Sequence, residues 1–571
     1  DTMAKGVNGW SVAGPLFTVG EEINGYTPPG ILDGLGAYEL DHNTVRVLAN
    51  HELLNFRGYE YALNAGTDDE FKMKGARISF FDIDNDTREI EDAGLAYDTV
   101  YDANGNVVTD RSFLGTPYAP FFGGPNDAAT PAGFSRFCSS VLVEAGEFNR
   151  PLRNLVQSRW DDGHPGKGRG KGRGLRHIPN RGLEDTIYFT GEEDGTGFNS
   201  VGGAEWALDV ENGELWQVPA MGRGAWENIA PVDTGDRDHV TFILMDDASP
   251  FDFDGDGIDE AAPLYLYVGK KENDGSFLER NGLKDGTLYV WVSDEFDDSG
   301  KRVTKPSQFN TSGTLEGRWV KVNNSAKPDE ASMDGTSGYD LNGYPTQGNL
   351  WLQAEEVGAF GFSRPEDVAY NPENASEVVL ASTGVDSYDG GADTFGTMYT
   401  IDTDFHTLEA DLTIVYDGDA DPGRTLRSPD NLDWADDGKV LVQEDEAEEE
   451  SLDGEQLFGE DAANVNEAGI VLLDSETGAT LRVANIDRDV ILDPTTSGTP
   501  VDQDAGKAGE WESSGVLDVS GLFGEKPGKL FLFDVQAHGI EDQDDYNSDS
   551  RIIDEDLVEG GQLLFLEGRK N

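Results

Sequence analysis

The residues best spaced for chemistry in this chain are carboxylates. The run Asp252-Phe-Asp254-Gly-Asp256-Gly-Ile258-Asp-Glu260 sets Asp at alternate positions ahead of Gly257. That spacing lets a tight loop turn several carboxylate oxygens onto one hard cation, while the glycine permits the sharp bend. It is the opening of a calcium loop of the EF-hand type. Pro263 stands at Asp252 + 11, where such a loop carries its bidentate Glu. Asp259 or Glu260 therefore has to complete a ligand set that begins with Asp252, Asp254 and Asp256 and runs through Ile258. The expected ion is calcium, in a structural role.

A second set of acids stands just beyond short apolar runs. His51-Glu52 follows Leu48-Ala49-Asn50, Glu192-Glu193-Asp194 follows Tyr188-Phe-Thr-Gly191, and Asp246-Asp247 follows Phe242-Ile-Leu-Met245. Arg364-Pro-Glu366-Asp367 follows Phe360-Gly-Phe-Ser, and Pro429-Asp430-Asn431 precedes a run that ends at Gln443-Glu444-Asp445. Taken singly, each is a turn or a solvated edge. Taken together, carboxylates at the strand ends of a closed β scaffold can converge on one axis, where they need metals to be tolerated. No nucleophile elbow, phosphate-cradling glycine loop or zinc-spaced Cys/His set is present. The single cysteine, Cys138, excludes an internal disulfide.

The elements that must position these acids read as short strands. Apolar or alternating runs occur at Thr44–Leu48, Ala76–Phe81, Thr186–Thr190, Gly213–Val218, His239–Met245, Leu264–Val268, Gly286–Val292, Glu377–Ala381, Gly396–Ile401, Lys439–Gln443, Gly469–Leu473, Lys529–Phe533 and Gln562–Leu566. Most are bounded by Gly, Asp, Asn or Pro, and no comparable stretch has helical periodicity. Gly213-Glu-Leu-Trp, Gly286-Thr-Leu-Tyr-Val, Gly396-Thr-Met-Tyr-Thr-Ile-Asp and Gly561-Gln-Leu-Leu-Phe-Leu read as one recurring strand. Such recurrence is how propeller blades show in sequence. The expected fold is therefore all-β, a β-propeller with long loop insertions over residues 1–571 as a single domain; a β-sandwich assembly is the alternative. Three stretches look like excursions: the basic run Gly166–His177, read as a flexible loop, the acidic run Glu444–Asp461, read as a solvated loop, and the polar segment Lys301–Tyr344, an expected insertion.

With 111 Asp plus Glu against 42 Lys plus Arg, the formal net charge is −69. Such a field repels nucleic acid and anionic membranes and attracts divalent cations. It also suits a surface that must stay soluble in strong salt. No run of about 18 apolar residues is present, so no membrane insertion is expected. Residue 1 is Asp rather than Met, and the expectation is a processed, secreted protein (periplasmic or extracellular) from a saline environment.

At Asn50-His51-Glu52, Phe189-Thr-Gly-Glu192-Glu193, Trp226-Glu227-Asn228, Arg364-Pro-Glu366-Asp367, Pro429-Asp430-Asn431 and Asp534-Val-Gln-Ala-His538, in that order, the chain resembles the PhoX-type alkaline phosphatases. The resemblance implies a six-bladed propeller with a site on its axis, and an exported enzyme that binds several calcium ions, with iron possible, and hydrolyses phosphate monoesters. Carried over by position, Glu193, Glu366 and Glu444 look like metal ligands and Arg364 like a holder of phosphate oxygens. Asn50 and Asn431 become supporting polar groups. The family uses a cysteine as iron ligand, and Cys138 is the one available. The family's cysteine region usually continues into Thr-Pro-Trp-Gly-Thr and then Cys-Glu-Glu, whereas here Cys138-Ser-Ser runs into Val141-Leu-Val-Glu144. The expected partner is a small phosphorylated substrate. Two rivals remain open: a calcium-dependent lactonase, arylesterase, phytase or phosphodiesterase on the same scaffold, and a non-enzymatic, calcium-stabilised propeller used in adhesion or assembly.

Overall fold

A computed structural model of the chain describes residues 2–111, 133–149, 179–195, 201–272, 275–309, 313–332, 335–386, 393–492, 502, 507–541 and 555–569. The basic run Gly166–His177 lies outside them. Among the described residues the strands form six blades. Their innermost strands are Leu32–Asp41, Phe137–Val143, Trp226–Pro231, Pro365–Asn371, Pro429–Trp434 and Glu512–Asp518. Each inner strand pairs antiparallel with the next strand of its own blade. Each also lies against the inner strand of the following blade, and the sixth returns to the first, so the ring closes as the propeller expectation requires.

Strand alternation explains why six blades pack into one body. A blade strand buries both faces, so successive side chains serve opposite neighbours. On Val440–Glu444, Val440 and Val442 join Val379, Ala381 and Met398 of the fourth blade, while Leu441 joins Phe531, Phe533 and Leu564 of the sixth. On His239–Asp246, Phe242 and Leu244 pack with Ile187 and Phe189 of the second blade, and Ile243 packs with Val378 and Leu380 of the fourth. The sequence runs are thus apolar on both phases because both phases are core.

The N-terminal residues complete the outer edges of the last two blades. Ala4–Gly6 pairs with Thr480–Ile486, and Ser11–Val12 and Phe17–Thr18 pair with Glu559–Glu567. This ties the start of the ring to its end. Within the segment read as an insertion, Thr314–Val322 is a strand that pairs with Gly286–Ser293 of the third blade and with Glu409–Asp417 of the fourth. It is followed by the helix Gln347–Val357, which starts where the Thr346 side chain accepts from the Asn349 amide and ends at Gly358, whose φ of 74° a residue with a side chain rarely adopts.

Two expectations change. The strand recurring after glycine does not occupy one blade position: the copies at Gly213 and Gly286 are fourth strands, and those at Gly396 and Gly561 are third strands. The likeness reflects a shared demand for a turn followed by a doubly buried strand. The acidic run Glu444–Asp461 is not solvated throughout, because Glu444 is fully buried and Leu457 and Phe458 belong to the core between the fifth and sixth blades.

Candidate metal centre

In five blades the same piece of backbone builds one wall of an axial cavity. The first residue of the inner strand pairs with a residue near the end of the second: Leu32 with His51, Phe137 with Glu192, Trp226 with Asp246, Pro365 with Ser382, and Pro429 with Glu444. One residue on, the amides of Glu52, Glu193, Asp247, Thr383 and Asp445 donate to the carbonyls of Ile31, Arg136, Ala225, Arg364 and Ser428, which lead into the inner strands. Four of these entry residues have positive φ: Ile31 50°, Arg136 46°, Arg364 58° and Ser428 38°. Such a conformation costs a residue with a side chain about 1–3 kcal/mol and persists only where the surroundings enforce it. The result is geometric. The second residue of the inner strand and the residue just past its partner both face the axis, giving Asp33 and Glu52, Cys138 and Glu193, Glu227 and Asp247, Glu366, and Asp430 and Asp445.

These side chains line a cavity of about 320 Å³, completed by Arg136, Arg364, Glu446, Glu510, Glu512 and His538. Eleven of the lining residues are Asp or Glu, opposed by two arginines and one histidine. Several trios bring one ligand atom each within 4.8 Å of one another: Asp33, Cys138 and Glu227; Glu52, Cys138 and Glu193; Glu193, Glu227 and Asp247; Glu227, Glu366 and Asp430; and Asp33, Glu52 and Glu512. Arg364 forks onto Asp247 through Nε (2.9 Å) and Nη2 (2.6 Å) and also reaches Glu366 (3.1 Å). Arg136 bridges Glu52 (2.9 Å) and Glu193.

The electrostatics follow from crowding like charges out of water. Burial, and then Glu366 and Glu193, push the Glu227 carboxyl well above its ordinary range. Burial and then Glu52 do the same to Asp33, and burial and then Glu512 to Asp430. Glu193 is pushed up to about 8 by burial, against the pull of Arg136. The Cys138 thiol is raised by burial and by Glu193. For His538 burial works against the charge, but Glu559, 2.6 Å from Nδ1, outweighs it and brings the imidazole to about 10. Acids and a thiol held this close together could bind cations.

Residues 212–489 match the family described as alkaline phosphatase PhoX. The structure of Pseudomonas fluorescens PhoX in complex with vanadate, a transition-state analogue, superposes on the chain with a TM-score of 0.57 at 13% identity, covering 99% of this chain and 96% of that one. Just under half of the chain is thus similar in sequence to the PhoX alkaline phosphatases, and its fold is similar throughout. That likeness supports a metal-dependent phosphoric monoester hydrolase. A Bacteroides fragilis protein described as a 6-phosphogluconolactonase overlaps far less, with a TM-score of 0.18 at 10% identity over 61% of this chain and 90% of that one. No curated protein sequence matches the chain.

Against the PhoX reading of the sequence, the structure brings Cys138, Glu193, Glu366 and Arg364 together in the cavity. Glu444 is placed elsewhere: it is buried behind the wall between Arg427 and Arg482 and accepts the Arg427 amide at 2.9 Å. Its neighbour Asp445 takes the place facing the axis, because strand alternation sends adjacent residues to opposite sides. Asn50 lies beneath the cavity, donating to the Cys138 carbonyl (2.6 Å) and Thr190 Oγ1 (2.8 Å) and accepting from the Tyr188 hydroxyl. Asn431 is buried with neither amide atom hydrogen-bonded. The loop holding Asp252, Asp254, Asp256, Ile258 and Glu260 joins the second and third strands of the third blade and does not line the cavity. Asp252 takes the amides of Gly255, Asp256 and Gly257, and Glu260 takes that of Phe253. Asp33, Arg136, Glu510 and Glu512 were not singled out by the sequence. The usable signal was positional: in each acidic pair that ends a second strand, the second member faces the axis.

Proposed function

We propose that the protein hydrolyses phosphate monoesters at a cluster of calcium and iron on the propeller axis, with Cys138 as an iron ligand. What carries this reading is the convergence of eleven carboxylates and one thiol on a single cavity. Oxygen donors in that number suit calcium, and a sulfur among them suits a softer, redox-active metal. Glu193, Glu227, Glu366, Asp430 and Asp33 would hold the ions, and the second candidate calcium position is the Asp252–Glu260 loop. Bound cations would offset the charge of the phosphate and acidify a water.

The chain's own groups supply orientation. Arg364 spends Nε and Nη2 on Asp247 and Glu366, so its remaining nitrogen is held rigidly for a phosphate oxygen, with the planar donor geometry that suits one. His538, fixed through Nδ1 by Glu559, keeps a positive charge at the cavity edge. Phosphoryl transfer needs positioning and charge stabilisation more than covalent chemistry, and this arrangement offers both. Asn50 and Asn431 support the floor.

We further read residues 1–571 as one propeller domain with 301–344 inserted, acting outside the cytoplasm in a saline setting. Among the described residues no helix is long and apolar enough to cross a membrane. The test is elemental analysis of the purified protein together with hydrolysis of p-nitrophenyl phosphate with and without chelator. Iron plus calcium with chelator-sensitive turnover is expected. Calcium without turnover would overturn the reading in favour of a calcium-stabilised, non-enzymatic propeller.

A further inference from the structure

Asp246 occupies in the third blade the position that His51, Glu192, Ser382 and Glu444 occupy in others, one residue before the rim. It is fully buried and does not line the cavity. Its Oδ1 accepts from the Ala225 amide (2.7 Å) and from Gln347 Nε2 (2.8 Å), and its Oδ2 accepts from Trp351 Nε1 (2.7 Å). The counterparts pin the same stretch of chain: Glu192 takes the Ser135 amide (3.2 Å), Glu444 takes that of Arg427 (2.9 Å), and Ser382 donates to the Ser363 carbonyl (2.7 Å). The third blade differs in the source of its bonds. Two of the three donors come from the helix Gln347–Val357, which lies outside every blade.

The next residue, Asp247, returns its amide to the Ala225 carbonyl (2.8 Å) and holds Arg364 with both carboxylate oxygens. Ala225 is therefore tied at its amide by Asp246 and at its carbonyl by Asp247. A displacement of Asp246 moves the Ala225 peptide, and with it the carboxylate that aims the guanidinium.

We propose that Asp246, with Trp351 and Gln347, is a positioning group for Arg364: the helix sets Asp246, Asp246 sets the entry to the inner strand and the Asp247 carboxylate, and Asp247 sets the guanidinium that meets phosphate. None of the three lines the cavity. The inference rests on the phosphatase reading and extends it to a helix that neither the acidic motifs nor the blade strands include. Trp351 is suited to the task because its ring is locked edge-on against Phe253, centroids 5.1 Å apart, so its N–H points in one direction only.

The experiment uses the metal-loaded protein and Trp351→Phe, which keeps an aromatic ring and removes the donor. The control is Trp319→Phe, whose Nε1 donates to Thr403 Oγ1 (3.1 Å) away from the cavity. Gln347→Leu removes the other helix bond should Trp351→Phe fail to fold. KM and kcat for p-nitrophenyl phosphate, inhibition by inorganic phosphate and the melting temperature are measured for each. The expected result is that Trp351→Phe and Gln347→Leu weaken phosphate inhibition and raise KM by about tenfold, as loss of a bond to a charged group does. Trp319→Phe should lower the melting temperature similarly and leave both constants unchanged. Unchanged phosphate inhibition in both helix variants, or an equal effect in Trp319→Phe, would overturn the inference while the phosphatase reading stands. A wild-type protein that neither binds phosphate nor turns over the ester would overturn both.

Discussion

The Cys138 thiol donates to Glu193 Oε2 across 3.0 Å, although 55 residues separate the two along the chain. They meet because Phe137 pairs with Glu192, so that each next residue turns to the axis at the same height. The sulfur also stands in two trios at once, with Asp33 and Glu227 on one side and with Glu52 and Glu193 on the other. One side chain therefore joins two neighbouring trios that could each hold an ion, and it is the chain's one thiol.

Replacing that donor separates the metals. Cys138→Ser keeps the size of a buried side chain and removes the sulfur, so the fold should survive. Iron content is expected to fall to near zero and turnover by about 100-fold or more, the upper end of what loss of a ligand-sphere group costs, while calcium is retained. Elemental analysis beside p-nitrophenyl phosphate turnover reads this directly. Full iron in the variant would remove Cys138 from the ligand set.

Glu444 should behave differently from the acids of the cavity. Its carboxylate pairs with the fully buried Arg427 and also binds Arg482 at 2.6 Å. Opposed by both arginines, burial fails to raise its carboxyl, which is held below its ordinary range. Glu444→Gln would leave buried guanidinium charge unpaired, a loss of about 3–5 kcal/mol. Chemical denaturation in the presence of chelator should show that loss, with the number of metals bound by the surviving folded protein unchanged. Glu193→Gln should do the reverse, costing metal and little stability.

The contrast between those two acids marks where sequence reasoning stops. Each of the apolar runs found in the sequence overlaps a strand, yet none is an inner strand. The reason is physical. Inner strands face the axis with polar residues such as Asp33, Glu227 and Glu366, begin with Pro365 and Pro429 in two blades, and carry a register shift just after the start, as between Leu32 and Leu35 or Trp226 and Ile229. Those features erase the alternation that reveals a strand. The acidic pairs were visible because they sit at the ends of the doubly apolar second strands. Which member of a pair faces the axis depends on register, which a motif does not encode, so the motif points to Glu444 where the fold turns Asp445 to the axis. Arg136 and Asp33 carry no signal of their own until the ring closes.

Without metals, the protein should lose stability as pH rises. Burial, then Asp247 and Glu52, lift Glu193 from 4.5 to about 8, against Arg136, and Glu227, Glu366 and Asp33 shift the same way, burial being the first cause in each. An acid with a raised pKa in the folded state binds more protons folded than unfolded. Its contribution is therefore complete below the unfolded value and is lost as pH climbs through the folded one. The chelated protein is expected to melt lower at about pH 9 than at about pH 6, and calcium should restore more at the higher pH. A flat or rising melting temperature of the chelated protein over that window would show that the cavity carboxylates do not repel one another as the geometry requires.

The Asp252–Glu260 loop gives a separate expectation, because its ion would act on stability through contacts remote from the cavity wall. Phe253 stacks edge-on between Phe251 and Trp351 and leaves no room beside Gly348, while Glu260 holds the Phe253 amide at 2.7 Å. Ordering the loop around calcium therefore orders the anchor of the helix Gln347–Val357. Asp252→Asn with Asp254→Asn removes two charges from the hard-cation set and leaves the turn hydrogen bonds largely intact, since an amide oxygen still accepts. Bound calcium should fall by one ion per chain, and the melting temperature should drop in calcium but match the wild type in chelator, because only the ion's contribution is gone. Equal melting temperatures in calcium would mean that the loop is an acidic turn and that the helix is anchored by packing alone.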